Sequence, residues 1–298
     1  LDEGIANRVL VGDVGLMKEL AGEAGVSLEG IEMVDPNTQE ETRRRYATTL
    51  EELRRHKGIS LHEAQRWVLD PNMYACLMVR EGAADAVLGG LTTFYAETIR
   101  PALQVLRVEE GRTIVSSLYV VVIGGKSYFF TDCAVNIEPT AEQLVEIAEA
   151  AVDTAQRQFD REPRVGFISY SDFGSAGGEE PARVRKAVEI FRDRHPDIPV
   201  DGEMQAGTAV VDDLLRRRRP DGPLQRAPNV LVFPNLTAAN ASYQLLNRIA
   251  GAEVIGPILS GLSKSVHVLQ RDAEVTDVVN LTAVAVADAQ RRRRAKAI

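Results

Sequence analysis

Short β-branched or apolar runs recur along the whole chain, and each is separated from the next by a charged, amphipathic segment. They are "RVLVG" (8–12), "IEMVD" (31–35), "AVLGG" (86–90), "VGFIS" (165–169), "IPVDG" (198–202), "NVLVF" (229–233) and "EVIGP" (253–257). Parallel strands need crossover connections of a dozen or more residues, usually a helix, so this alternation points to parallel sheets flanked by helices. With 298 residues, 45% of them hydrophobic, the chain exceeds the roughly 100–200 residues of a usual domain. The fold class expected is therefore α/β, in two domains with mostly parallel sheets and flanking helices.

One stretch departs from the alternation. "TIVSSLYVVVIGGKSYFF" (113–130) is two β-branched runs joined at Gly124–Gly125, which predicts an antiparallel hairpin within the mostly parallel fold. "GGKS" is not a phosphate loop, because the glycine required five positions before Gly125 is Val120. "NIEPTAEQLVEIAEAAVDTAQRQ" (136–158) has the pattern of a long helix capped by Thr140 with Glu142 or Gln143. A domain change near Pro139 and a return crossing near Ser263–Val268 give residues 1–138 with 267–298 as one lobe and 139–266 as the other.

The formal net charge of −8, from 35 basic and 43 acidic residues, argues against a general nucleic-acid surface. The basic runs Arg216–Arg219 and Arg291–Arg294 each follow a helical pattern and read as solvated helix ends. Cys76 and Cys133 have neither CxxC nor Cys/His spacing, so no disulfide framework and no metal site is signalled, and a cytoplasmic setting fits. No apolar run approaches the roughly 20 residues of a membrane span.

Five segments have residues suited to chemistry. In "GFISYSDFGSAGGEEPARVRKAVEI" (166–190) a strand, a Ser/Gly-rich loop and a helix with Pro181 in its first turn follow one another. Ser169, Ser171, Gly174 and Ser175 then stand at the carboxyl end of a parallel strand. There they either offer amides and hydroxyls to an anion or make an ordinary connection. "NVLVFPNLTAANASYQLLNRIAG" (229–251) predicts a buried strand, a polar bend and a helix from about Ala238 to Ala250, with Asn235 and Asn240 as ligand contacts or as caps. "AVLGGLTTFYAETIRPALQVL" (86–106) has Thr92, Thr93 and Thr98 beside Arg100, whose planar fork of donors suits phosphate or a surface ion pair. Asp132 in "FFTDCAVN" (129–136) either acts on a ligand or caps a turn. "KSVHVLQRDAEVTDVVN" (264–280) contains His267, Arg271 and Asp277.

Taken in order, "TIRPAL", "DCAVN", "PTAEQL", "SYSDFGSA", "DGEMQ", "VFPNLTAAN", "IGPILSGLSK" and "VVNLTAVAV" resemble the phosphate acetyl/butyryltransferase family from near Glu3 to about Gln290. The resemblance implies a two-domain fold of the isocitrate/isopropylmalate dehydrogenase-like type, an inter-domain cleft, a homodimer or higher homo-oligomer, and a segment preceding Leu1. Its ligands are acetyl-CoA or CoA and phosphate or acetyl phosphate, with no metal. In active members an Asp takes the CoA thiol proton while Arg residues hold the phosphate. Arg271 and Asp277 match those catalytic positions. Thr93, Arg100, Asp132, Ser169, Ser171, Gly174, Ser175, Asn235, Asn240, Gly261 and Lys264 are the ligand-binding positions the resemblance implies.

Active transferases read Asn-Asp-Leu-Ser-Arg-Gly where this chain has His267-Val268-Leu269-Gln270-Arg271-Asp272. A positioned hydroxyl is replaced by the longer Gln270. With "SYSDFGSA" and "VDGEMQA", this segment looks like the carboxy-terminal transferase-like domain of hybrid NADP-dependent malic enzymes. The function expected on that basis is an acetyl-CoA-sensing domain with little transferase activity, which regulates and oligomerises a malic-enzyme domain in the same polypeptide. The alternative is an active phosphate acetyltransferase.

Overall fold

The structure, a computed structural model, describes residues 4–271 and 273–296. In chain order the elements are β1 (Val9–Val11), α1 (Val14–Ala24), β2 (Glu32–Val34), α2 (Glu40–Arg54), α3 (Leu61–Trp67), α4 (Pro71–Glu81), β3 (Ala86–Gly89), α5 (Tyr95–Val105), β4 (Ser116–Ile123), β5 (Lys126–Thr131) and α6 (Ala141–Arg157). There follow β6 (Val165–Ile168), α7 (Glu179–Arg194), β7 (Val200–Met204), α8 (Ala206–Val210), α9 (Asp212–Arg218), β8 (Val230–Val232), α10 (Leu236–Ala250), β9 (Glu253–Ser260), β10 (Ser265–Val268) and α11 (Val275–Lys296). Five of the strand pairings are parallel and two antiparallel, so the fold is mixed α/β with mostly parallel sheets.

The chain divides into two compact units, Leu1–Arg107 with Leu262–Ile298, and Val108–Gly261. The hairpin β4–β5, which the sequence suggests belongs with the first lobe, lies in the second unit because β5 pairs in parallel with β8. The first unit holds two small parallel sheets, β1–β2 and β3–β10. Its core includes Tyr46 and Tyr74, packed edge to face with centroids 5.0 Å apart, together with Leu50, Leu77 and Val79. The residues of α4 explain its place there: Asp70 caps it by accepting from Met73 N–H, Pro71 starts it, and its apolar side chains are buried.

The second unit is built on one six-stranded sheet of order β7-β6-β8-β5-β4-β9. Its middle strands β6 and β8 are buried throughout, as expected of parallel strands covered on both faces. Alternation along β5 sends Phe129 to one side, against Phe159, and Phe130 to the other, against Phe233. The hairpin turn is the predicted one, with φ of +56° at Gly124 and +73° at Gly125, values that suit glycine in a two-residue loop. Thr140 and Gln143 form a reciprocal cap on α6, which selects Gln143 over Glu142. β9 is antiparallel to β4, and β10 is a strand that the sequence reading did not mark.

Leu281, Ala285 and Ala289 of α11 are buried within the first unit. This small-residue stripe therefore packs inside its own chain. Among the described residues no helix is long and apolar enough to cross a membrane.

Candidate active site

In the first unit β3 and β10 run side by side in register, Ala86 opposite Ser265 and Gly89 opposite Val268. Both release the chain at the same end, where parallel sheets bind ligands. Residues 90–94 lead from β3 into α5, and residues 269–274 lead from β10 into α11. Leu269 N–H donates to Gly89 O at 2.7 Å, which ties the two connections together. Gly90, at φ +113°, permits this approach: a Cβ there would stand 2.3 Å from Leu269 O.

This end gathers several of the residues singled out in the sequence. The Arg271 guanidinium lies over the Phe94 ring, 4.9 Å from its centroid. Thr93 shares a hydrogen bond of 2.7 Å with the buried Thr98. Asp277 sits in the first turn of α11 and accepts from Glu274 N–H at 2.9 Å, while Glu97 does the same for Phe94 N–H at 3.1 Å. Two helix amino termini, each capped by its own carboxylate, thus open where Arg271 stands, and its guanidinium is a group there that attracts a negatively charged ligand. Arg100 is exposed on α5. Asp272 lies outside the described residues. Lys264 is set apart, at the amino end of β10, with the strand between it and Arg271.

His267, one of the four departures from the transferase pattern, turns away from this end. It is buried, with Nε2 3.2 Å from Ser265 Oγ, and the same hydroxyl donates to Ala285 O on α11. Burial pushes its imidazole down to about 4, against the pull of Asp288. Burial would raise the Asp288 carboxyl, but Arg292 and the hydrogen bonds from Arg292 and Arg291 outweigh it and hold the group below its usual range. The Asn-to-His departure is thus a matter of core packing. Of the other departures among the described residues, Val268 is buried and Gln270 is exposed at the strand ends.

In the second unit the Ser/Gly-rich loop after β6 holds an anion of its own. Ser171 Oγ, Gly174 N–H and the Arg185 guanidinium all reach Glu203 Oε1, at 2.7, 2.8 and 2.9 Å. Glu203 is wholly buried. Burial raises its carboxyl, but the bonds from Ser171 and Gly174 and the charge of Arg185 prevail and leave it below its ordinary value. Ser169 Oγ donates to Glu180 at 2.9 Å, and Ser175 Oγ accepts from Asp172 N–H at 2.8 Å. Asp172 in turn accepts from Gln205 N–H and Thr208 Oγ1. The expectation that Ser169, Ser171 and Gly174 offer their donors to a bound anion is corrected: Glu203 takes the donors of Ser171 and Gly174, and Glu180 takes that of Ser169.

The other sequence candidates in this unit are also engaged by their own chain. Asp132 is buried and accepts from Ser117, Ala134 and Asn136 backbone N–H groups, from Ser117 Oγ and from Asn136 Nδ2. With that many donors it organises the turn after β5. Asn235 caps α10 by accepting from Ala238 N–H at 2.9 Å, and Asn240 donates to Cys133 O at 3.3 Å. Gly261 packs on the Ile114 backbone. Burial raises the Cys76 thiol to about 12 and the Cys133 thiol well above its usual value, so neither suits a nucleophile. Among the described residues no cluster of three or more His, Cys, Asp or Glu is placed to hold a metal ion.

Sequence reasoning passed over Phe94 and Glu203. The first followed a run of hydroxyls that drew attention to themselves, and the second stood in "DGEMQ" with no local sign of its partner 29 residues upstream.

Comparison with known proteins fits this arrangement. The phosphate acetyl/butaryl transferase family matches residues 1–286. The phosphate acetyltransferase of Clostridium acetobutylicum is 36% identical over 297 residues, which span 98% of this chain and 89% of that protein. The phosphate acetyltransferase of Bacillus subtilis is 35% identical over 286 residues, 96% of this chain and 87% of its own. The phosphotransacetylase EutD from Staphylococcus aureus superposes with a TM-score of 0.83 at 30% identity, covering 94% of this chain and 86% of that one. These relatives overturn the expectation of a regulatory domain of a malic enzyme, because they bear the transferase name and align along most of both chains. From the strand-end geometry and these matches together, the chain belongs to the phosphate acetyl/butaryl transferase family.

Proposed function

We propose that this chain transfers an acetyl group between coenzyme A and orthophosphate. In the direction of acetyl-CoA formation, the CoA thiol gives its proton to Asp277 and the sulfur attacks the carbonyl carbon of acetyl phosphate. A C–S bond forms, the C–O bond to the phosphate breaks, and orthophosphate leaves with the bonding electron pair. Arg271 and Arg100 hold the phosphate oxygens and stabilise the charge that develops on them. The thiolate is the stronger nucleophile, which gives the carboxylate its task.

The observation that carries this reading is the pairing of the β3 and β10 connections, with Arg271 over Phe94 and Asp277 at the first turn of α11. An anion met there finds a fixed guanidinium. Gln270 supplies an amide where the resemblance implies a hydroxyl, and an amide is still a donor. The resemblance extends the reading to an isocitrate/isopropylmalate dehydrogenase-like arrangement, a homodimer and a cytoplasmic setting, the last in keeping with two unpaired, buried cysteines. The test is formation of acetyl-CoA from acetyl phosphate and CoA by the purified chain.

A further inference from the structure

A second basic site lies in the first unit, on elements that the proposed reaction does not use. Asn37, Arg43, Arg44, His62, Gln65, Arg66 and Leu69 line a cavity of about 340 Å³ between the start of α2 and α3. Its size falls in the range of roughly 300–1,000 Å³ typical of small-molecule sites and exceeds what a single orthophosphate fills. Among the described residues none of the lining side chains is acidic, although the chain as a whole has a net charge of −8.

The arginines are presented in different ways. Arg43 is half-buried and fixed by donation from Nη1 to Asn37 O at 3.1 Å and to Pro36 O at 3.4 Å. Those bonds use one nitrogen of the fork of this lining residue. Arg44 pairs with Glu40, an exposed i,i+4 pair that contributes little and is readily exchanged for a better anion. Arg66 is exposed on α3. Asp35, on the turn before α2, is occupied by Asn37 N–H at 2.8 Å and Asn37 Nδ2 at 3.0 Å. Three guanidiniums, two carboxamides and an imidazole around one hollow form a donor set for several phosphate oxygens at once.

We propose that this cavity binds a phosphorylated small molecule of nucleotide size, with Arg43, Arg44 and Arg66 on its phosphates and Asn37 and Gln65 on its remaining polar groups. The diphosphate chemistry is shared by a free nucleotide and by the nucleotide end of coenzyme A. The proposed reaction assigns no task to these residues, and the proposal does not depend on it.

The experiment is calorimetric titration of ADP into the whole chain in the Arg271→Ala background, which removes the anion partner proposed for the reaction. One ADP is expected per chain, bound at least tenfold more weakly after Arg66→Ala and after Gln65→Glu. The second change puts a carboxylate into the cavity without removing packing, so it tests the site even if the Arg66 variant folds poorly. ADP that still binds in the presence of saturating CoA assigns the site to a separate nucleotide. ADP that CoA displaces, with CoA itself weakened by Gln65→Glu, assigns it to the substrate. No binding of either ADP or pyrophosphate, or ADP binding that neither Arg66→Ala nor Gln65→Glu weakens, overturns the proposal.

Discussion

The guanidinium of Arg271 lies over the ring of Phe94, 4.9 Å from its centroid, and so joins the connection after β10 to the one after β3. Phe94 is 63% exposed, so this contact has little to do with core packing. Its consequence is to hold an arginine in place at the strand ends before any ligand arrives.

Phe94→Ala is therefore expected to lower kcat/KM for acetyl phosphate by roughly three- to tenfold, the equivalent of an exposed cation–π contact of about 1 kcal/mol. The melting temperature should hold within about 2 °C, because the ring covers no core. Phe94→Tyr should retain activity. Steady-state kinetics beside calorimetry check both statements, and a large loss of stability would show that the ring has another task.

Glu203→Ala leaves the Arg185 guanidinium, Gly174 N–H and Ser171 hydroxyl without their acceptor. Breaking a buried pair in this way costs about 3–5 kcal/mol, or roughly 10 °C in melting temperature for a unit of this size. Ser175→Ala, at an exposed position, should cost less than about 1 kcal/mol. Scanning calorimetry of the two variants distinguishes a loop organised by Glu203 from one organised by its serines.

The strand-loop-helix frame of residues 165–194 is legible in the sequence, because an apolar run, a Ser/Gly stretch and a proline in a first helical turn each have a local cause. What the loop holds is not legible: Glu203 reaches it only because β7 lies beside β6. The hairpin at Gly124–Gly125 is local chemistry and was readable, whereas the unit to which it belongs depends on β5 meeting β8, a tertiary fact. β10 was missed because "SVHV" is short and contains a histidine. The same histidine looked like a change in the catalytic segment until its buried side was known, since strand alternation without a partner does not say which face is the core.

His267 makes stability depend on acid. Its folded-state value of about 4 lies below the ordinary 6.5, so the unfolded chain binds the extra proton in this window. The contribution is complete above pH 6.5 and is lost as pH falls towards 4, on the order of 3 kcal/mol in all. Burial sets that value, with Asp288 pulling it up and Arg292 pushing it down, and Ser265 Oγ lies 3.2 Å from the ring's Nε2. Urea unfolding of the wild type and His267→Asn between pH 4 and 7 should show the wild type losing more stability over the window, and parallel curves would contradict the assignment.

Gln270→Ser shortens the side chain beside Arg271 and brings in the hydroxyl that the resemblance implies there. An increase in kcat of roughly tenfold, with little change in KM, is the expected result if that hydroxyl acts only as the reaction proceeds. Unchanged kcat would mean that the Gln270 amide already performs the same task.

The most direct measurement is the thioester absorbance that develops when acetyl phosphate and CoA are mixed with the purified chain, run in parallel with Arg271→Ala of confirmed fold. Turnover by the wild type, reduced about a hundredfold or more in the variant, is the result predicted for an arginine that stabilises the departing phosphate. A wild-type chain that makes no acetyl-CoA, or an Arg271→Ala variant that makes it equally fast, would contradict the assignment of acetyl transfer to this end of β3 and β10.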